Sequence, residues 1–309
     1  MPVAVGFTLQ PDEEFLDRTR VLLDRVDYAE VAPETLWRKL PADKGGAIVD
    51  NGYVGAIAGL VDEAGLFVVA HGVGFSLGAA LDDNDRVALW QARLTANHQR
   101  FRFQWMSDHG GLTSTAGLHL ALPIAAPALT SRAAATRQKL SFFKDLCGMG
   151  AVETSALPFR HRGDRGDDAG LYAAAVDNDD GLGVVLDVHN LYTMAVNLGV
   201  DVDSYLSRLD PRSIVELHVS GGAVSDVGWL PGGRTVRLDS HDDAVPDAVF
   251  DLLARVAPRC PRLRGVTLER MEGTVLDDAD VAVLAAELDR VRAIVAQPPQ
   301  PPWTQRPVA

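Results

Sequence analysis

Eight short runs of β-branched and other apolar residues recur along the chain, each followed by a longer stretch with three-to-four-residue apolar spacing. The runs are Val3–Phe7, Tyr28–Ala32, Leu66–Ala70, Arg102–Met106, Gly150–Thr154, Gly183–Val188, Ile214–His218 and Gly265–Leu268. Runs this short and this apolar fit strands buried on both faces, and the intervening spacing fits helices. One such stretch is Glu13–Val26, with Phe15, Leu16, Thr19, Leu22, Leu23 and Val26 on one face. Another is Asp277–Val295, whose acidic start suits the positive end of a helix dipole. Strand and helix alternating eight times predict an α/β fold: one closed parallel (β/α)8 barrel in preference to an open sheet. No glycine-rich phosphate fingerprint follows the first run, which argues against a dinucleotide-binding sheet.

At 309 residues the chain is long enough for one such barrel or two smaller domains. The strand pattern favours one barrel over residues 1–296. It leaves 297–309 as a proline-rich tail, extended or disordered, because Gln297-Pro298-Pro299-Gln300-Pro301-Pro302 cannot be helical. Arg160–Gly170 and Gly221–Arg234 are rich in glycine or charge and are expected to be irregular loops. No apolar run approaches the ~20 residues a membrane helix requires. The first residues lack a basic segment followed by an apolar signal core, so the expected location is the cytoplasm. A net charge of −13 with no Lys/Arg-rich stretch gives no reason to expect a nucleic-acid partner. Cys147 and Cys260 lie far apart without CxxC spacing, which argues against a thiolate zinc site and a disulfide framework.

In such a barrel the side chains at the C-terminal ends of the strands converge on one mouth, where active sites are built. The third run leads into His71, the fourth into Ser107-Asp108-His109, and the fifth carries Glu153. The sixth ends Leu186-Asp187-Val188-His189-Asn190. The seventh carries Glu216 and His218, and its loop leads to Asp239-Ser240-His241-Asp242. The eighth ends at Glu269. Five of the eight histidines fall at these positions, each near an acid. Any one of them could be hydrogen-bonded structure, and Glu216 with His218 is a spacing that the strand pleat alone produces. His98, His119 and His161 stand in helical or loop contexts and carry no such expectation. Jointly, buried acids and imidazoles without partners would be costly, so the pattern points to a polynuclear site for Zn²⁺, Fe²⁺ or Mn²⁺.

These strings resemble the multinuclear non-haem iron-dependent oxidative enzymes. The resemblance rests on His71-Gly72-Val73-Gly74-Phe75-Ser76-Leu77-Gly78, on Leu186-Asp187-Val188-His189-Asn190-Leu191-Tyr192 with Ala195-Val196-Asn197-Leu198-Gly199, on Glu216-Leu217-His218-Val219-Ser220-Gly221, and on Asp239-Ser240-His241-Asp242. It implies a barrel like those of xylose isomerase and endonuclease IV, with two or three iron ions and O₂ as co-substrate. His71, His109 and Glu153 would hold one metal. Glu153 would bridge to a second, shared with Asp187, His218 and Glu269. Asp239, His241 and either Asn190 or His189 would hold a third, with Asn190 favoured by its spacing from Asp187. The implied reaction is oxidation of a residue of a ribosomally made precursor peptide, often cysteine or a C-terminal Asp or Asn. A second protein that binds the peptide's leader is a further implied partner. The chain departs from the family in having Thr154 where asparagine is usual, Asp108 where glutamate is usual, and Thr35 after Glu34.

Other readings of the ligand types are an endonuclease-IV-like phosphodiesterase, disfavoured by the acidic charge, and a sugar isomerase or epimerase, which would need fewer histidines. A degenerate barrel serving only as a binding scaffold would not be expected to keep candidate ligands at so many strand ends.

Overall fold

The computed structural model describes residues 2–41, 43, 47–79, 84–115, 118–124, 130–156 and 168–305. Eight parallel strands close into one barrel: β1 (Ala4–Thr8), β2 (Tyr28–Val31), β3 (Phe67–Gly72), β4 (Met106–His109), β5 (Gly150–Glu153), β6 (Leu182–Asp187), β7 (Ile214–Val219) and β8 (Gly265–Leu268). Each pairs with its neighbours in sequence, and β8 closes on β1 with Ala4 opposite Gly265 and Phe7 opposite Leu268. The expected (β/α)8 barrel is therefore the fold. Two antiparallel hairpins leave the barrel after β2 (Trp37–Lys39 with Ile48–Asp50) and after β4 (Leu112–Thr115 with Leu118–Ile124).

Seven of the eight expected strands lie within two residues of their observed positions. The fourth, expected at Arg102–Met106, begins only at Met106. Phe101, Phe103 and Trp105 alternate as in a strand and are buried. But Phe101 is the last residue of the helix Asn84–Phe101, and Arg102 adopts a left-handed φ of 55° that ends it. The helix expected at Glu13–Val26 is α-helical to Thr19 and then tightens to a 3-10 helix over Arg20–Arg25. The one expected from Asp277 runs Asp278–Val295, and the Asp277 carboxylate caps it by accepting from the N–H groups of Ala279 and Asp280. The loop Gly221–Arg234 holds short turns, Pro231–Gly233 among them, and a single bridge of Val224 to Arg237, as expected of an irregular segment. The other expected loop, Arg160–Gly170, falls mostly outside the described residues.

A large apolar core lies between the strands and the surrounding helices. A smaller one fills the barrel interior, formed by Tyr28, Val69, Trp105, Met149, Ala151, Val185 and Val215. Glycine makes room for the Tyr28 ring, since a Cβ on Gly6 would stand 2.2 Å from it and one on Gly265 2.6 Å from its hydroxyl. Through Gln305 the C-terminal segment forms neither helix nor strand but is tied to the body of the barrel. The Trp303 indole donates to the Leu209 carbonyl, and Gln300 N–H donates to that of Pro258. Among the described residues no helix is long and apolar enough to cross a membrane.

Candidate metal centre

The C-terminal ends of the strands bring the sequence-expected acids and imidazoles into one buried group. Glu153, at the end of β5, lies at its middle and is 1% exposed. Its two oxygens face different partners. Oε2 lies 3.3 Å from His71 Nε2 and 2.9 Å from His109 Nδ1, while Oε1 lies 3.1 Å from His218 Nδ1. A carboxylate placed this way can bridge two cations. On the first side stand His71, His109 and Glu153. On the second stand Glu153, Asp187, His218 and Glu269, with His218 Nδ1 3.5 Å from Glu269 Oε2. Asp187, Asp239 and His241 form a third group.

Local structure orients these atoms. The Ser107 hydroxyl, itself within reach of the Ala70 carbonyl, lies 2.9 Å from His71 Nδ1. If it accepts the Nδ1 proton there, Nε2 is left bare toward Glu153. Asp187 ends β6 and caps the next helix, Val188–Leu198, where its Oδ1 accepts from the N–H groups of His189 and Asn190. That leaves Oδ2 buried without a partner. His241 adopts a left-handed φ of 51°, a conformation that costs a non-glycine residue about 1–3 kcal/mol. Its Nε2 sits 2.8 Å from Asp239 Oδ1 and 3.8 Å from Glu269 Oε2.

His189 and Asn190 both flank the third group. His189 is fully buried, and its Nδ1 lies 3.7 Å from Asp239 Oδ1 without a hydrogen-bond partner, while its Nε2 is 3.5 Å from the Thr193 hydroxyl. Asn190 donates its amide to the Thr154 carbonyl, and its Oδ1 is also buried without a partner. Thr154 helps to fix β6, because its hydroxyl accepts the N–H of Asp187. Asp108 turns out of the group, and its Oδ2 accepts the N–H of Phe75. Burial, and then the anion of Glu34, pushes its carboxyl up to about 7. Of the histidines left aside, His98 lies in the helix Asn84–Phe101 and His161 falls outside the described residues.

The donor chemistry fits metal ions. Glu153 Oε2, His109 Nδ1, Asp187 Oδ2 and Glu269 Oε2 are all buried without a hydrogen-bond partner among the described residues, although His109 and Glu153 approach closely. Such atoms are expensive to bury unless a cation meets them. The proton balance shows the same deficit. Burial opposes charging the imidazoles, yet the Glu153 carboxylate holds His71 up to about 9, and Glu269 with Asp239 holds His241 up to about 10. Asp187 is pushed well above the carboxylate range by burial and by the anions of Asp239, Glu153 and Glu269. Protons gather where positive charge is wanted.

One further acid joins the centre that sequence reasoning does not place there, and a second lies beneath it. Glu30 lies inside β2 with Oε2 3.2 Å from His218 Nε2, and with His71 and His218 it makes a further group able to hold a cation. Glu216, whose spacing from His218 the pleat alone would explain, is fully buried beneath that histidine. The available signal is a glutamate in the otherwise apolar string Tyr28-Ala29-Glu30-Val31.

Solved structures similar in fold include a xylose isomerase domain protein from Planctomyces limnophilus. Its TM-score is 0.59 at 13% identity, covering 95% of this chain and 98% of that one. Another is endonuclease IV from Thermus thermophilus, with a TM-score of 0.50 at 16% identity, covering 94% and 98%. At such identities the likeness is one of fold. Among curated sequences, a UPF0276 protein of Bordetella bronchiseptica is 32% identical over 241 residues, 74% of this chain and 76% of that protein. One from Caulobacter vibrioides is 30% identical over 240 residues, 74% and 77%. The sequence profile of the RiPP precursor modification enzymes MbnB/TglH/ChrH matches residues 3–296, nearly the whole chain. With that match over the barrel and its mouth, the chain belongs to the MbnB/TglH/ChrH family of enzymes that modify ribosomally made precursor peptides.

Proposed function

We propose that this enzyme is a multinuclear non-haem iron oxidase that uses O₂ to oxidise a residue of a precursor peptide, with cysteine or a C-terminal Asp or Asn as the target. The observation that carries this is Glu153, whose two oxygens face two separate imidazole sets amid buried donors that lack partners. His71, His109 and Glu153 would hold one iron, and Glu153, Asp187, His218 and Glu269 a second. Asp239 and His241 would hold a third, joined by Asn190 through its free Oδ1 or by His189 through Nδ1. Imidazole and carboxylate without thiolate suit iron in either of its common oxidation states.

Bound iron would supply the one-electron chemistry that couples O₂ to oxidation of the peptide. The chain's own residues do the rest. Ser107 and the cap geometry of Asp187 aim their partners before any metal arrives, so little rearrangement is needed on binding. Apolar walls below the centre, from Tyr28 to Val215, keep water from reaching it through the barrel. A leader-binding partner protein would deliver the peptide to the mouth.

The test is purification under low oxygen, followed by elemental analysis and Mössbauer spectroscopy. Two to three irons per chain, lost in Glu153→Ala and His218→Ala, are expected, together with O₂-dependent mass change of a precursor encoded nearby. Zinc or manganese alone in protein made with ample iron would overturn the iron reading in favour of hydrolase or isomerase chemistry.

A further inference from the structure

Beneath the centre, two buried glutamates stand side by side with very different surroundings. Glu216 has every need met. Its Oε2 accepts the Trp105 indole N–H at 2.6 Å, and its Oε1 accepts from the Tyr28 hydroxyl at 3.0 Å and the Thr267 hydroxyl at 2.9 Å. Glu30, 1% exposed, has no such supply. Its Oε1 has no partner, and its Oε2 is 3.4 Å from the same Thr267 hydroxyl. A threonine has one proton to give, and the Thr267 hydroxyl lies nearer the Tyr28 hydroxyl, at 2.7 Å, and nearer Glu216 than it does Glu30. What remains for Glu30 is His218 Nε2, at 3.2 Å.

His218 lies between two sets of acceptors. Nδ1 faces Glu153 and Glu269, and Nε2 faces Glu30, with Glu216 farther off at 3.9 Å. A neutral imidazole that gives one nitrogen to a metal carries its proton on the other. A carboxylate behind that proton fixes the ring and strengthens it as a ligand.

We infer that Glu30 is a positioning residue of the metal centre: it takes the Nε2 proton of His218 in a hydrogen bond and so presents Nδ1 to the cation shared by Glu153, Asp187 and Glu269. This rests on the reading of the mouth as a metal centre, but not on the metal being iron. Glu30 then acts through His218 without itself contacting the metal, and Glu216 serves the barrel interior.

The experiment titrates metal-free wild type, Glu30→Gln and Glu216→Gln with cobalt(II), following its visible absorbance, and records the thermal midpoint of each metal-free protein. Glu30→Gln is expected to keep the wild-type number of sites while binding cobalt about 10–100-fold more weakly at one of them. Its metal-free midpoint should not fall, because an ill-served buried charge has been removed. Glu216→Gln should bind within about threefold of wild type. Unchanged affinity in Glu30→Gln, or the outright loss of one site with the others intact, overturns the inference, the second result by making Glu30 a direct ligand. Wild type that takes up no cobalt would sink the metal reading itself, and this inference with it. A second measurement does not depend on the variant's folding. In zinc-loaded wild type, ¹⁵N–¹H correlation should show the His218 Nε2 proton, protected from exchange. A His218 without that proton also overturns the assignment.

Discussion

The two ends of the barrel interior are built from the same strands and obey opposite rules. Toward the N-terminal end, Tyr28, Trp105, Met149, Val185 and Val215 pack as an apolar plug, and the tyrosine and indole find an acceptor in Glu216. Toward the C-terminal end, Glu153, Asp187, His218 and Glu269 crowd together, and each of the three carboxylates keeps an oxygen with no hydrogen-bond partner among the described residues. Satisfied polar groups give rigidity, whereas unsatisfied ones hold free energy in reserve for a ligand. The difference separates scaffold from site, and it can be tested by perturbing each end and asking what moves.

The largest effect is expected at Glu153. Alanine there removes the residue common to the first and second groups, so metal content should fall by more than one equivalent per chain and modification of the precursor peptide should drop at least about 100-fold. The metal-free protein should remain folded, since a buried anion has been taken from beside Asp187. Elemental analysis with circular dichroism reads both. Metal content unchanged in Glu153→Ala would erase the distinction between the two ends.

Next in size is pH. Without metal, His71 and His241 hold protons up to about 9 and about 10. A metal must displace those protons, so affinity rises with pH through the neutral range, by about tenfold per pH unit for each proton released. Metal titrations at pH 6.5 and 8.5 should show tighter binding at the higher value, with acid released into weak buffer. Affinity indifferent to pH would mean that the imidazoles are not the ligands.

A smaller and more selective loss is expected from Gly222→Ala. A Cβ there would stand 2.1 Å from the Leu238 carbonyl and 3.0 Å from the His189 ring, forcing apart the backbone that carries Asp239. The third group should then lose its metal while the pair around Glu153 keeps theirs. Metal content lowered by about one equivalent, with the spectrum of the pair preserved, is the expected result.

Legibility from sequence follows the same division. The strands are readable because burial on both faces leaves an apolar run, and the imidazoles because a histidine where such a run ends stands out. The fourth strand is misplaced by such a reading because Phe101, Phe103 and Trp105 imitate strand alternation while turning out of a helix. The hairpins at Trp37–Asp50 and Leu112–Ile124 carry no run long enough to announce them. Glu30 escapes notice because it lies within its strand and not at the end. Its importance depends on a neighbour 188 residues away in sequence, since His218 reaches it only through barrel closure.

The smallest effect on metal binding is expected from the opposite end, and it sharpens the contrast most. Met149 is 1% exposed, packed in the plug with Trp105 and Val185. Its replacement by alanine leaves a cavity and should cost about 2–5 kcal/mol of stability, read as a lower thermal midpoint in the metal-free protein. Yet the donors at the mouth are held by strand ends, a helix cap and the Ser107 hydroxyl, none of which belongs to the apolar cluster around Met149. Metals per folded chain should therefore match wild type. A plug variant that lost metal in proportion to stability would show the two ends to be one cooperative unit, with the reserve at the mouth maintained by packing below it.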